Sequence, residues 1–94
     1  MMNQNFEFYV KGGSSRWWFA VMPLNHRMQM KSVEVKKNGK WQQMEFGKID
    51  SFYWLGTHLD TQFELRFTLM NGKSIIHKVT NPKGDQFINT GKSF

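Results

Sequence analysis

Two adjacent indoles, Trp17 and Trp18, are the residues whose type and spacing most clearly suggest a binding function. A regular strand sends neighbouring side chains to opposite faces, so the two rings are hard to bury together. Either one ring packs in the core while the other covers an edge, or a bulge or strand start leaves both at the surface. Exposed rings would stack on a flat ligand, such as a sugar or a nucleobase. Lys11 and Arg16 would then bond to hydroxyls or carboxylates of that ligand.

The sequence contains few residues in the patterns that are typical of catalytic or metal sites. The three histidines, His26, His58 and His77, are far apart and form no metal-binding motif. There are no cysteines to supply thiolate ligands. A glycosidase pair needs two carboxylates that flank a cleft, and the candidates for such a pair are Glu45, Asp50, Asp60 and Glu64. A small β-domain has little cleft to offer, so the sequence predicts no enzyme, no metal and no cofactor.

Composition limits the class of protein. The chain has 94 residues, which is one domain, and its aromatic content of 16% excludes a disordered tail. No apolar run approaches the roughly 20 residues of a membrane span. Thirteen Lys and Arg against seven Asp and Glu give a net charge of +6. This excess favours polyanions, so a basic β-module that binds nucleic acid or acidic polysaccharide is the alternative function.

The elements that must position these residues are strands, because apolar residues recur with period two. The alternation is clearest over 62–70, and Asn38-Gly39 and Asn71-Gly72 predict tight hairpins, since both residue types tolerate positive φ. Predicted strands cover 6–10, 16–22, 30–37, 40–46, 52–55, 62–70, 73–80 and 86–89. The sequence therefore predicts an all-β protein, a two-sheet antiparallel β-sandwich of the immunoglobulin-like kind. A small closed barrel is the competing architecture.

The other two tryptophans are interpreted as structural. Trp41 comes two places after a hairpin glycine, where a cross-strand or core position is typical. Trp54 is interpreted as core in the same way. The lysines at 31, 36, 37 and 40 are interpreted as solvated strand faces.

The segment Lys11–Trp18, KGGSSRWW, closely resembles the start of the C-terminal domain of bacterial expansin-like proteins, carbohydrate-binding module family 63. The similarity continues through Asn25-His26, the hairpin at 38–41 and Met44-Glu45. It then follows the strand and turn at 65–72 and the closing segment at 84–94, and so spans nearly the whole chain.

This resemblance implies a non-catalytic β-sandwich that binds cellulose, mixed-linkage glucan or another plant cell-wall glucan on a flat aromatic platform. It implies a secreted, extracellular protein that loosens walls without hydrolysis, with its signal peptide outside this chain. Residues 1–94 would be a single domain of a longer protein that carries an upstream barrel domain. The tandem aromatics of the platform fall on Trp17 and Trp18, and its basic residue falls on Lys11.

The third ring of the platform departs from the family pattern. An ungapped match places it at Ile49, which cannot stack in the same way. Phe46 or Tyr53 would substitute, with Phe52 as the buried aromatic of its strand and Tyr53 turned outward. The predicted carbohydrate-binding residues are therefore Trp17, Trp18, Lys11, Tyr53 and Phe46. The excess of lysine suggests that acidic wall polysaccharide also contributes, through salt-sensitive electrostatics.

Overall fold

The structure is a computed structural model that describes residues 5–14, 17–24, 29–47, 52–56, 59, 62–80 and 83–94. The described residues form nine strands. These are β1 (Glu7–Val10), β2 (Phe19–Leu24), β3 (Met30–Lys37), β4 (Lys40–Gln43), β5 (Glu45–Phe46), β6 (Tyr53–Leu55), β7 (Gln62–Leu69), β8 (Ser74–Thr80) and β9 (Gln86–Asn89). Among these described residues, no helix is long and apolar enough to cross a membrane.

The strands pair into two antiparallel sheets. One has five strands in the order β5-β6-β2-β1-β9, and the other has four in the order β4-β3-β7-β8. Every paired neighbour runs antiparallel. The two-sheet antiparallel β-sandwich that the sequence predicts is thus confirmed.

The core lies between the sheets and is built by the period-two alternation. On β7 the residues at odd positions, Phe63 to Leu69, are buried while the intervening ones are not. Phe67 forms the centre of an aromatic cluster, with ring centroids 4.8 Å from Phe6 and 5.0 Å from Phe8. These edge-on and tilted contacts are favourable ring geometries and tie the two sheets together.

The segment predicted as one strand over 40–46 is two strands in different sheets. β4 pairs with β3 in the four-stranded sheet, whereas β5 pairs with β6 in the five-stranded sheet. Met44, between them, is only 3% exposed, and its N–H donates to Val33 O at 2.8 Å. The single-strand prediction was wrong because the chain crosses between the sheets here and buries Met44 as it does so.

The two Asn-Gly turns differ. Asn38 and Gly39 both have positive φ, 54° and 76°, as a two-residue hairpin between right-twisted strands requires. At the second turn Gly72 has φ 90° but Asn71 does not enter that region. There the Leu69 N–H donates to Lys73 O at 2.8 Å, which closes a longer turn. The tight hairpin predicted at this second site was therefore wrong in length, although not in place.

Candidate functional site

A turn after β1 brings Lys11 beside the start of β2. The Ser14 N–H donates to Lys11 O at 3.1 Å, with Gly13 at φ 88° inside the turn. The Ser14 hydroxyl accepts from the Ala20 N–H at 3.2 Å, and the Lys11 N–H donates to Ala20 O at 2.9 Å. The turn is therefore fixed to the strand that Trp17 and Trp18 precede.

A second loop holds that turn from the other side. A Cβ on Gly84 would lie 2.9 Å from Lys11 O, Gly12 Cα and Gly13 N, so only glycine allows this approach. The neighbouring Asp85 adopts φ 58°, and its N–H donates to Val10 O at 2.8 Å. These contacts fix the backbone that carries Lys11.

The outward surface of the five-stranded sheet carries several aromatic rings. We call it the outer aromatic face, and it comprises Tyr9, Lys11, Ala20, Phe52, Trp54 and Phe87. The Tyr9 ring centroid lies 4.8 Å from Phe87 and 6.2 Å from Phe52. The Lys11 ammonium lies 4.6 Å from the Phe52 centroid, a cation–π contact. Phe52 itself is buried, as predicted. It is not part of the core cluster between the sheets, and its neighbours on the outer aromatic face cover it.

Tyr9 is held in place by a hydrogen bond from its hydroxyl to Asp85 Oδ1. This bond raises the pKa of Tyr9 above its ordinary value, since the phenol must keep its proton to donate. Tyr9 is therefore a neutral donor near pH 7, and Asp85 is engaged at the same margin as Lys11.

Trp18 borders this face, and Trp17 precedes Trp18 in the chain. Trp17 is 70% exposed, and Trp18 is half-buried, so neither ring is sealed in the core. A Cβ on Gly56 would lie 3.7 Å from Trp18 Cδ1, which places that ring against the end of β6. Arg16, which the sequence also suggested as a ligand contact, lies outside the described residues.

Phe46 and Tyr53 do not join the outer aromatic face. Tyr53 pairs with Val21, whose side chain is completely buried in the core, and Phe46 pairs with Tyr53. The expected outward orientation of Tyr53 was wrong, because Phe52 and Trp54 on either side of it take the outward positions. The structure thus separates Phe46 and Tyr53 from Lys11.

The Phe46 and Tyr53 rings instead lie on the flank of the sandwich. Their centroids are 4.8 Å apart, and burial raises the pKa of the Tyr53 hydroxyl. Both line an open groove of about 850 Å³. Its other lining residues are Met22, Pro23, Gln29, Met30, Lys31, Gln43, Met44 and Glu45.

Trp54, like Tyr53, faces the side of the sheet opposite to the one that the sequence interpretation gave it. Its register partner is Ala20, and neither residue belongs to the core cluster. Trp54 is half-buried on the outer aromatic face. The alternation of Tyr53, Trp54 and Leu55 was a visible signal. It did not say which alternate set faces inward, because all three side chains are apolar or aromatic.

The described carboxylates that were considered for catalysis lie on different sheets. Glu45 lies on β5 of one sheet, and Glu64 lies on β7 of the other, where it pairs with Lys36 at 3.8 Å. Asp50, Asp60, His26, His58 and Ile49 lie outside the described residues. Within the described ranges, no three His, Asp or Glu side chains are grouped so as to hold a metal ion.

The chain is similar to proteins named expansins. It is 40% identical over 80 residues to the expansin YoaJ of Bacillus subtilis, which covers 84% of this chain and 33% of that protein. It is 25% identical over 92 residues to expansin-like protein 6 of Dictyostelium discoideum, covering 96% of this chain and 32% of that protein. The chain thus spans about a third of the length of these relatives. No family model matches it.

Solved structures share its fold. A crystal structure of apo expansin from Clavibacter michiganensis matches 99% of this chain with a TM-score of 0.87 at 18% identity, over 46% of that protein. A mutant of the same expansin, crystallised in complex with cellohexaose, matches equally well. The fold of this chain therefore matches just under half of that expansin. The chain is thus similar in sequence and in fold to expansins, and its predicted resemblance to the C-terminal domain of the bacterial type is confirmed.

Proposed function

We propose that this chain is a non-catalytic carbohydrate-binding module that binds plant cell-wall glucan at the outer aromatic face. One observation carries the proposal. Trp17 is 70% exposed and is next in the chain to Trp18, which borders the face that carries Lys11. Large exposed aromatic surface in a small domain marks a binding site, because water solvates it poorly. No cofactor or metal enters this function.

The binding mechanism is stacking. The flat faces of sugar rings present C–H groups that pack on the indoles of Trp17 and Trp18, while Lys11 donates hydrogen bonds to hydroxyls at the margin. At about 25 cal/mol per Å² of apolar area, two indole faces supply a few kcal/mol before the cost of association. This predicts an affinity in the micromolar range.

The related structures support the class of ligand. A mutant expansin, of which just under half shares this fold, was crystallised in complex with cellohexaose, a linear oligosaccharide. We propose a ligand of the same kind here, cellulose or another β-glucan, with this chain as the wall-binding domain of a secreted, expansin-like wall-loosening protein. The proposal includes the upstream barrel domain of the longer protein that the resemblance implies.

The test is depletion of the protein by insoluble cellulose. We expect Trp17→Ala and Trp18→Ala each to weaken binding about tenfold, and the double variant roughly a hundredfold, because each removes a stacking surface. Trp41→Ala, on the other sheet, is the matched control and should bind as the wild type does. Thermal unfolding checks that the variants are folded. Full retention of binding by the folded double variant would refute the proposal.

Two further polymers separate this function from its alternative. Pectin and a single-stranded RNA are titrated at low and at high salt beside cellulose. Stacking on glucan changes little with salt, whereas binding to a polyanion weakens steeply as salt rises. RNA binding tighter than cellulose binding would favour the nucleic-acid alternative instead.

A further inference from the structure

We propose that Asn71 is a site of self-modification, at which the folded protein loses ammonia and converts this asparagine to aspartate and isoaspartate. The inference is independent of the proposed function. It rests on the two Asn-Gly turns, Asn38-Gly39 and Asn71-Gly72, which share a dipeptide and differ in conformation. A glycine after asparagine favours this reaction, because the glycine has no Cβ to hinder the approach of its nitrogen to the side chain.

The reaction closes a succinimide ring. The Gly72 nitrogen gives its proton to water or hydroxide and forms a bond to Cγ of Asn71, whose Oδ1 then carries the negative charge. The bond from Cγ to Nδ2 breaks as this charge returns to the carbon, and Nδ2 takes a proton from water and leaves as ammonia. One water molecule then opens the ring. Cleavage at Cγ gives aspartate, and cleavage at the backbone carbonyl carbon gives isoaspartate.

The conformation of Asn71 places the attacking nitrogen within a limited rotation of Cγ. The Gly72 N–H donates to Leu69 O at 2.9 Å, which closes a four-residue turn with Asn71 in its third position. Because Asn71 does not have positive φ, this is a type I turn, in which the third residue has ψ near about 0°. Rotation about the bond from Cα to the carbonyl carbon then brings the Gly72 nitrogen to the side chain.

The side chain of Asn71 is also held by a donor that assists the reaction. The Lys73 N–H donates to Asn71 Oδ1 at 3.0 Å. This donor polarises the amide and lies beside the oxygen on which negative charge develops, as the donors of an oxyanion hole do. The hydrogen bond that must open is that from Gly72 to Leu69. It lies in an exposed turn, where water replaces it at small cost.

Asn38 provides the comparison within the same chain. It is equally exposed and is also followed by glycine, but its φ is 54°. For a residue with a Cβ, this φ restricts ψ to about +30° to +60°, which places the Gly39 nitrogen on the far side of the chain from the Asn38 Cβ. The rotation that closes the ring is therefore larger. Of the residues that the structure describes, none donates to the Asn38 side chain.

Conversion of Asn71 would change the turn between β7 and β8. It adds a carboxylate beside Lys73, and isoaspartate lengthens the backbone by one carbon inside the turn that the Leu69 N–H closes on Lys73 O. The converted protein should therefore unfold at a lower urea concentration. Glucan binding by the folded protein should be unchanged, since the turn belongs to the four-stranded sheet and Lys11 follows β1 of the other. Failure of this proposal is thus separate from failure of the proposed function.

The experiment follows the wild-type protein in mildly alkaline buffer, with and without concentrated urea. Tandem mass spectrometry of the digested protein measures conversion at positions 38 and 71. In the folded protein we expect Asn71 to convert about tenfold faster than Asn38, a difference in barrier of about 1.4 kcal/mol. In urea the two rates should lie within about twofold of each other, because the turns are lost. A rate at Asn38 that equals or exceeds that at Asn71 in the folded protein would overturn the proposal. So would a tenfold ratio that persists in urea, since the folded turn would then not be its cause.

A second measurement counts isoaspartate directly. A protein isoaspartyl methyltransferase moves a labelled methyl group from the sulfonium of S-adenosylmethionine to the free carboxylate of isoaspartate. Glutamine closes the corresponding larger ring much more slowly, so Asn71→Gln should take up about tenfold less label than the wild type after the same incubation. Asn38→Gln is the matched control and should stay within about twofold of the wild type. The opposite pattern in folded variants, checked by thermal unfolding, would assign the reaction to Asn38 and overturn the inference.

Discussion

The two outward surfaces of the sandwich treat tryptophan differently. On the four-stranded sheet, Trp41 is covered by cations of its own protein: the Arg66 guanidinium lies 4.4 Å from the ring centroid and the Lys36 ammonium 5.9 Å. Arg66 Nε in turn donates to Glu34 at 2.8 Å, which raises the pKa of Arg66. We call this surface the charged face. It comprises Glu34, Lys36, Trp41, Glu64 and Arg66.

The outer aromatic face and the tandem tryptophans beside it include rings that are more exposed to solvent. Trp17 and Phe87 are each 70% exposed, and Trp18 and Trp54 are half-buried. On this face the Lys11 ammonium lies over the Phe52 ring. The comparison teaches that an indole on a sheet surface is not by itself a binding site. Where a cation already lies over the ring, as at Trp41, a ligand would have to displace it.

The sharpest way to break the comparison is to disturb the loop that supports the outer aromatic face alone. In Gly84→Ala the new Cβ would meet three backbone atoms of residues 11–13 at 2.9 Å, so the turn that carries Lys11 must shift. We expect a loss of about 2 kcal/mol in the free energy of unfolding, together with weaker cellulose binding. Urea unfolding and cellulose depletion measure the two effects.

The matched control is Gly72→Ala, at the hairpin of the other sheet. It has open space around its Cα but φ 90°, so its cost of about 1 kcal/mol comes from backbone strain. It should destabilise the domain without changing cellulose binding. Equal binding losses in the two glycine variants would mean that binding follows stability and not the position of Lys11.

A substitution on the charged face should have a smaller effect on the free energy of unfolding. Glu34→Ala leaves the half-buried Arg66 guanidinium without its 2.8 Å acceptor. Because both side chains remain partly solvated, we expect a loss of only about 1 kcal/mol in unfolding free energy. Thermal unfolding measures it, and cellulose binding should be unchanged.

Glu64→Ala is the control for this change. Its contact with Lys36 is longer, 3.8 Å, and more exposed, so its loss should be about 0.5 kcal/mol or less. Weaker cellulose binding in either variant would show that the charged face takes part in binding after all.

The smallest effect concerns pH. Burial, and then the charge of Lys92, lower the pKa of His77, whose ring lies 5.8 Å from that of Phe8. The folded protein therefore holds His77 neutral, while the unfolded chain takes up the proton near pH 6.5. Stability from this group is complete above that pH and falls as the pH drops from there towards the lowered folded pKa.

Urea unfolding at pH 7.5, 6.5 and 5.5 tests this, with His77→Gln as the control that lacks the titration. The difference in stability between the two proteins should change in favour of His77→Gln as the pH falls. A difference that stays constant over this range would contradict the assigned direction. Cellulose binding by the folded protein should not follow this titration, since His77 lies on β8 of the opposite sheet.

The sequence predicted which face of a strand points inward only where polar and apolar side chains alternate. Over 62–70 polar and apolar residues alternate, so the inward face of β7 was predictable. Over 52–55 every residue is aromatic or apolar, so the strand was predictable but its inward face was not. That is why Tyr53 was expected outward and Trp54 inward. Only the pairing of Trp54 with Ala20, a contact between distant segments, decides the orientation.

The crossing of the chain between the sheets at Met44 could not be predicted from the sequence, for a related reason. A buried methionine continues the alternation of a strand equally well whether the chain stays in one sheet or crosses to the other. For the tandem tryptophans the sequence left two arrangements open, one ring in the core or both rings at the surface, since a regular strand sends adjacent side chains to opposite faces. The exposed Trp17 and the half-buried Trp18 agree with the second arrangement.

The cation–π contact between Lys11 and Phe52 has a consequence for affinity. A free lysine side chain on a surface loses up to about 2 kcal/mol of rotational freedom when a ligand immobilises it. Lys11 is restrained in advance, because its ammonium already rests on an aromatic ring. In the proposed site the Lys11 side chain therefore loses much of its rotational entropy when the protein folds. Less entropy remains to be lost when a ligand hydroxyl accepts a hydrogen bond from it.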